Sequence, residues 1–395
     1  MSAVTVPDIE SPERAKRGRL VLALRLRDFG APDIELNQRP GTEMTAAPRR
    51  RGACLRRRQR AQPLFPLHQP QQEEHHLDYK QPQGKALFLR LVETMDVLVE
   101  NYRPTVMPRA GLGFEALREV NPRLIYAQLS GLGYDGPYAG RGGFDLIAQG
   151  MGGIMHVTGE PDGPPLSVGL PICDLGTGMW AVQGILAALY ERQRTGKGRL
   201  VECSLLETAI GFSSWTSAEW LADHEEPTRH RQNAPYQRMR TKDGHLMVGA
   251  AGEAIWARCA KALGHPEWCE DPRFATNQAR MANREALEDV MNAVLTTKTT
   301  EHWVEVLEAA GVPCGPVYDY AQMFADPQVR HRGLVQYASD PELGEVPHIR
   351  TPVKIGEGVR VRNVAPELGQ HNAEIFGRLG VSETDLQELH AKGVL

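Results

Sequence analysis

The sequence predicts an α/β protein: a large domain with a parallel sheet flanked by helices, and a smaller α+β domain. Three observations carry this. From Gly84 to Leu206, apolar runs of strand length alternate with helical periods. At 225–235 the stretch EEPTRHRQNAP has linker composition, and beyond it a hairpin signal and amphipathic helices replace the alternation. After about residue 325, short strands and two helices return. The expected divisions are 1–76, an anomalous Arg/Gln/Pro-rich segment; 77–224, the large domain; 225–325, the small domain; and 326–395, a return to the large domain.

Taken in order, Gly84–Thr94 reads as a helix with Leu87 and Leu91 inward, and Asp96–Tyr102 as a strand. Phe114–Val120 is a short helix, Leu124–Leu129 a strand, and Gly131–Gly143 a Gly-rich loop. Val168–Leu189 reads as a short apolar strand, a sharp Gly-rich turn and a helix. Val182, Ile185, Leu186 and Leu189 fall at helical spacing on one face of it. Leu200–Leu206 is a strand entered through Gly196–Gly198, and Glu207–His224 a helix. In the small domain, Tyr236–Thr241 and His245–Ala250 flank the turn Lys242-Asp243-Gly244. Helices follow at Glu253–Leu263, Arg284–Leu295 and Glu301–Ala309. Helices at Asn372–Leu379 and Glu383–Ala391 close the chain.

The 395 residues suffice for two domains with cores. A net charge of −4 argues against nucleic acid as a general partner. The six cysteines are scattered without a C-x-x-C pair, so no metal site or disulfide framework is expected. No apolar run reads as a membrane span and no signal peptide is apparent, so a cytoplasmic location is expected and no membrane partner. Arg49–Arg60 has seven Arg in twelve positions. It reads as a solvated arm or as a nucleic-acid-binding arm.

Asp174 is the candidate reactive group. It falls at the expected strand-to-helix junction, where a carboxylate is favoured by the helix dipole. Two roles fit: an N-cap, or a carboxylate nucleophile aimed from a rigid helix start at a carbonyl. Gly176 and Gly178 would leave room for a ligand or another backbone.

This stretch resembles the nucleophile segment of the family III CoA-transferases, whose fold the α-methylacyl-CoA racemases share. Further likenesses follow in order: Val99-Glu100-Asn101-Tyr102-Arg103-Pro104, Asn121-Pro122-Arg123-Leu124-Ile125, Ser130-Gly131 with Gly136-Pro137-Tyr138, and Thr195-Gly196-Lys197-Gly198. Thr241-Lys242-Asp243-Gly244, Gly311-Val312-Pro313-Cys314-Gly315-Pro316-Val317 and Asp326-Pro327-Gln328-Val329 complete the series. The resemblance implies a Rossmann-like, CoA-binding large domain and an interlocked homodimer of two ring-shaped chains. It implies a coenzyme A thioester as substrate, a small carboxylic acid as acceptor, and no permanently bound cofactor. Asp174 would attack an acyl-CoA and pass through a mixed anhydride and an aspartyl–CoA thioester. Such chemistry needs a dry pocket and N–H donors for the oxyanions. Gly142-Gly143 and Gly152-Gly153 are candidate donors, or ordinary turns. Arg103 would meet a CoA phosphate, with Arg141 and Lys197 as weaker candidates, and Phe144 and Asp145 would border the cofactor.

Racemases of this fold resemble Gly-His-Asp where this chain has Gly143-Phe144-Asp145. Phe144 carries no proton, which argues for the transferase. His156 is an alternative proton carrier or a structural residue. The segment Ala234-Pro235-Tyr236-Gln237 through Gly249-Ala250 looks like the branch that uses succinyl-CoA and a dicarboxylate such as glutarate. Arg238 or Arg240 would take the distal carboxylate. Rival readings are a racemase or isomerase, and an inactive CoA-binding homologue.

Residues 1–76 depart from the family pattern. Plausible codons for Leu64–His76, read one base later, give the family-like SSLSINRNKKSIT before the original frame returns at Leu77. A local frameshift is therefore expected. Resequencing the coding DNA tests it, and an uninterrupted frame without compensating base changes would sink it.

Overall fold

The computed structural model describes residues 3–6, 33–37 and 73–76 by backbone alone, and residues 77–227, 229, 233–341, 344–356 and 369–395 in full. Arg49–Arg60 and most of Leu64–His76 lie outside the described residues. Two compact units are present. One comprises residues 1–159, 163–227 and 333–395; the other comprises 160–162 and 228–332.

The first unit is built on a parallel sheet. Its described strands are β1 (Ala3–Val6), β2 (Asp33–Asn37), β3 (Glu73–His76), β4 (Val97–Glu100), β5 (Ile125–Ser130) and β6 (Leu200–Ser204), in the order 3-2-1-4-5-6. Every neighbouring pair is parallel. The segment 1–76, anomalous by composition, thus contributes three strands.

Strand β4 shows why this sheet is buried on both sides. Leu98 faces a cluster with Leu87, Phe88, Leu91 and Val92 of helix α1 (Pro82–Thr94), which also holds Ile375, Phe376 and the C-terminal Val394 and Leu395. Val97 and Val99 face the opposite way, with Ile125, Ala127 and Leu129 of β5. That face packs on a long helix through Ala181, Val182, Ile185, Ala188 and Leu189. A strand covered on both faces reads as a continuous apolar run, as Val97-Leu98-Val99 does. Short helices α2 (Val106–Arg109) and α3 (Phe114–Val120) lead from β4 to β5.

Beyond β5 the chain forms α4 (Asp145–Met151), α5 (Ile172–Thr195), α6 (Leu205–Phe212) and α7 (Ser214–Asp223). Two expectations are corrected here. The Val168–Leu189 stretch contains no strand: residues 164–171 are irregular, and α5 already begins at Ile172. Pro164, Pro165 and Pro171 lack ladder donors, and the Val168 N–H donates to the Gln149 side chain at 2.9 Å. Gly176 and Gly178 are consequently inside a helix, not in a turn. The single helix expected at Glu207–His224 is two, α6 and α7, which meet at Ser213. Its Oγ donates to the Ile210 carbonyl.

Helix α5 runs 24 residues and stops where Gly196 takes φ +69°, its N–H returning to the Arg192 carbonyl at 2.8 Å. Its buried stripe is Ala181, Val182, Ile185, Ala188 and Leu189; Leu186, expected inward, is exposed. An 18-residue window of α5 has mean hydropathy 1.4, so by length and composition it reaches the range of a membrane span, contrary to expectation. Half of that window is buried in this unit, as suits a core helix against a sheet. The hairpin β10 (Val335–Asp340) and β11 (Gly344–Ile349), and helices α14 (Asn372–Arg378) and α15 (Glu383–Ala391), also belong to this unit.

The second unit has an antiparallel sheet of β7 (Tyr236–Arg240), β8 (His245–Gly249) and β9 (Cys314–Pro316). Helices α8 (Glu253–Ala262), α9 (Asn277–Ala282), α10 (Arg284–Leu295) and α11 (Thr300–Ala309) accompany it, followed by α12 (Tyr320–Ala325) and α13 (Pro327–His331). Met239, Leu246 and Val248 meet Trp256, Leu287, Met291 and Leu307 in its core.

Candidate active site

Helix α5 presents Asp174 as its third residue, half-buried in the first turn. Pro171 holds the N-cap position, so of the two readings of Asp174 the N-cap one does not apply. Asp145, the first residue of α4, does that work from another element. One of its carboxylate oxygens accepts the Cys173 N–H at 2.7 Å and the Asp174 N–H at 3.2 Å. The other accepts from Gln149 Nε2 at 2.6 Å. Asp145 and Gln149 are four apart and share one face of α4. Buried Gln149 also donates to the Leu170 carbonyl and accepts from Val168 N–H. The two side chains of α4 therefore clamp the approach to α5 and its first turn.

The neighbouring donors are engaged as well. Ile172 N–H bonds the Leu170 carbonyl and Leu175 N–H bonds the Pro171 carbonyl. The positive end of α5 is thus occupied by a protein carboxylate and is not an open anion site.

Close glycine contacts bring α4 to this position. An added Cβ on Gly143 would lie 2.6 Å from Gly131 Cα, and one on Gly131 would lie 2.5 Å from Gly143 Cα. Backbone touches backbone there, so the loop that leaves β5 closes on itself directly before Phe144 and Asp145. A Cβ on Gly152 would meet Ala209 Cβ at 2.3 Å, seating the end of α4 on α6. Gly176 of α5 has no room for a Cβ beside the Phe212 ring, and Thr177 Oγ1 meets Thr208 Oγ1 at 2.8 Å. Gly142 is exposed, and Gly153 takes φ +82° after α4.

Cys173, next to Asp174, is buried, and its thiol is pushed up to about 12 by that burial and by the charges of Asp145 and Asp174. It stays protonated and is a poor nucleophile. Phe144 caps α4 with its ring exposed and offers no proton. His156 is exposed and 3.6 Å from Glu226, an ion-pair distance.

Other expected residues fall elsewhere. Arg103 is exposed just past the carboxyl end of β4, beside the β1/β4 reversal of strand order where open parallel sheets bind ligands. Arg141 lies over the Tyr138 ring at 4.5 Å on the Gly-rich loop. Lys197 follows the far end of α5, roughly 30 Å from Asp174 along the helix axis. In the second unit, Arg238 and Arg240 are exposed on β7, with Arg238 3.7 Å from Glu160. Among the described residues no group of three His, Cys, Asp or Glu side chains is arranged to hold a metal ion.

Sequence reasoning missed Gln149. The available signal was its position four residues after Asp145 on one short helix.

The sequence matches the model of CoA-transferase family III over residues 21–372, a span that begins well before Leu77. It is 34% identical over 329 residues to the mouse (Mus musculus) protein named succinyl-CoA:glutarate CoA-transferase, covering 81% of this chain and 74% of that one. It is 37% identical to the Chloroflexus aurantiacus succinyl-CoA–D-citramalate CoA-transferase, covering 81% of each. Its structure matches the crystal structure of a CAIB/BAIF family protein from Brucella suis with a TM-score of 0.80 and 32% identity, covering 96% of this chain and 98% of that one.

Proposed function

The chain belongs to CoA-transferase family III, and from that premise we propose that it moves CoA from an acyl-CoA donor, succinyl-CoA, to a carboxylic acid acceptor of the dicarboxylate class. The observation that carries the reading is Asp174, held in the first turn of α5 while Asp145 accepts the Cys173 and Asp174 N–H groups. Glutarate and citramalate in the names of the relatives support the acceptor class.

The Asp174 carboxylate attacks the donor thioester carbonyl, giving a mixed anhydride and CoA thiolate. The thiolate attacks the Asp174 carbonyl of the anhydride, releasing the donor acid and leaving an aspartyl–CoA thioester. The acceptor carboxylate then attacks that thioester and expels CoA thiolate. Thiolate attack on the acceptor acyl carbonyl yields the new acyl-CoA and restores Asp174. Each step exchanges one acyl bond for another, so no external acid–base pair is needed. Phe144 in place of a proton carrier supports transfer over racemisation. The strand order 3-2-1-4-5-6 and the position of Arg103 support a Rossmann-like sheet with CoA at its carboxyl edge. Trp180, Tyr190, Trp215 and Leu221 expose apolar surface on α5 and α7, which supports a homodimer in which a second copy covers them.

Peptide mass spectrometry after mixing with succinyl-CoA tests the chemistry. A CoA adduct on the Asp174 peptide, absent from Asp174→Ala, is expected. CoA binding without an adduct would move weight to another donor or to racemisation, and loss of both would refute an intact CoA pocket.

A further inference from the structure

Glu100 is a carboxylate that the transfer chemistry does not use, yet it is 2% exposed at the carboxyl end of β4. Burying a charge is costly unless it is hydrogen-bonded. One of its oxygens accepts the Tyr102 N–H at 2.7 Å. The other accepts the Tyr134 hydroxyl at 2.8 Å, across 34 residues of sequence. Tyr134 belongs to the Gly-rich loop that leaves β5. That loop is fastened at three further points. Ser130 Oγ accepts the Gly133 N–H at 3.0 Å, the Gly131 carbonyl accepts the Leu206 N–H at 3.1 Å, and Gly131 abuts Gly143. The next two residues are Phe144 and Asp145, the residue bonded to the Asp174 backbone.

We propose that the Glu100–Tyr134 hydrogen bond is a positioning device that holds this loop closed beside Asp174, so that the activated aspartyl carbonyl meets an acceptor carboxylate and not water. Burial and the Glu100 charge push the Tyr134 hydroxyl well above its ordinary range, so it remains the donor. Water adding to the aspartyl carbonyl would release CoA thiol and return the carboxylate, a hydrolysis that competes with transfer. A loosened loop favours that branch.

This inference rests on the transferase reading. The experiment measures, for the full chain with succinyl-CoA and glutarate, the ratio of free CoA released to glutaryl-CoA formed. A loss of folded protein scales both products equally, so the ratio reports the loop and not stability. Tyr134→Phe keeps the ring and removes the hydroxyl. It is expected to raise the ratio about tenfold, the size of one lost charged hydrogen bond. Glu100→Gln keeps one acceptor oxygen and is expected to raise it less. The lifetime of the CoA adduct on Asp174, followed by intact mass, should shorten in parallel. An unchanged ratio in both variants, with transfer by the wild-type chain intact, would overturn the loop's role alone. No transfer by the wild-type chain would overturn the functional reading and the loop's role with it.

Discussion

The side chain of Asp145 accepts the backbone N–H of Asp174 at 3.2 Å, and the same oxygen takes the Cys173 N–H at 2.7 Å. One carboxylate therefore caps the helix that presents the other. Asp174 is carried on a turn fixed by a group 29 residues earlier in the chain. The arrangement separates anchoring from reaction, and the consequences of breaking each part differ.

Removing the proposed nucleophile should abolish chemistry with little structural cost. Asp174→Ala is expected to lower CoA transfer by at least about 10³-fold. An acidic side chain in a first helical turn contributes only about 0.3–1 kcal/mol, so urea denaturation should shift little. Steady-state transfer assays and denaturation on the same preparation check both halves.

Removing the anchor should do the reverse in part. Asp145→Ala leaves two first-turn N–H groups without their acceptor and is expected to cost about 1–2 kcal/mol. Turnover should fall further than folding does, roughly 10–100-fold, because the attack geometry loosens. Asp145→Asn keeps one acceptor oxygen but turns an amide toward the Gln149 amide, and is expected to fall between. Turnover compared with denaturation midpoints across the three proteins resolves this.

The Gly131–Gly143 contact admits no side chain. Gly143→Ala must push two backbones apart, at an expected cost of about 1–3 kcal/mol. Asp145 lies two residues away and should move with it. The variant is expected to lose turnover and to form the Asp174 adduct more slowly, as quenched-flow mass spectrometry would reveal.

Cys173 predicts a pH dependence. Burial and the Asp145 and Asp174 charges push its thiol up to about 12 in the folded chain, against about 8.5 when unfolded. The folded state therefore holds a proton that the unfolded state has released, and stability falls as pH rises from about 9 towards 12. Burial raises Cys259 to about 12 in the same way, adding to the trend. At pH 8 native Cys173 should resist iodoacetamide, while urea-unfolded protein should be alkylated readily. Fast alkylation of native Cys173 would contradict the assigned environment.

Arg192 tests the core face of α5. It is buried, bonds Asp96 Oδ1 at 2.6 Å and donates to the Arg123 carbonyl at 2.8 Å, tying α5 to both sheet connections. Arg192→Ala removes the guanidinium paired with the partly buried Asp96 carboxylate and is expected to cost about 3 kcal/mol. Equilibrium urea unfolding measures it.

Several elements were legible because periodicity and turn chemistry act locally. Phe114–Val120 and Arg284–Leu295 are helices with the bounds read from pattern, and Lys242-Asp243-Gly244 joins two strands as expected. Pattern failed where tertiary contacts replaced local rules. Val168 has strand-like neighbours, yet its N–H is taken by Gln149. Gly176 has the propensity of a turn residue, yet it lies inside α5, where Phe212 and Thr208 leave no room for a Cβ. Leu186 fits the apolar stripe but faces outward, because the face that packs on β4 and β5 runs through Ala181, Ile185 and Ala188.

By itself, the sequence determined the alternation that makes a parallel sheet, the type of most helices, and the motifs that single out Asp174. These are properties of neighbouring residues and of short spacings. Only the tertiary structure decided that Asp145 and Gln149 hold the start of α5, that Gly131 closes on Gly143, and that Glu100 reaches Tyr134. It also made strands of β1, β2 and β3 in a segment whose composition suggested none. Such partners lie many residues apart, and nothing in a local pattern records which side chain will meet which backbone once the sheet has formed.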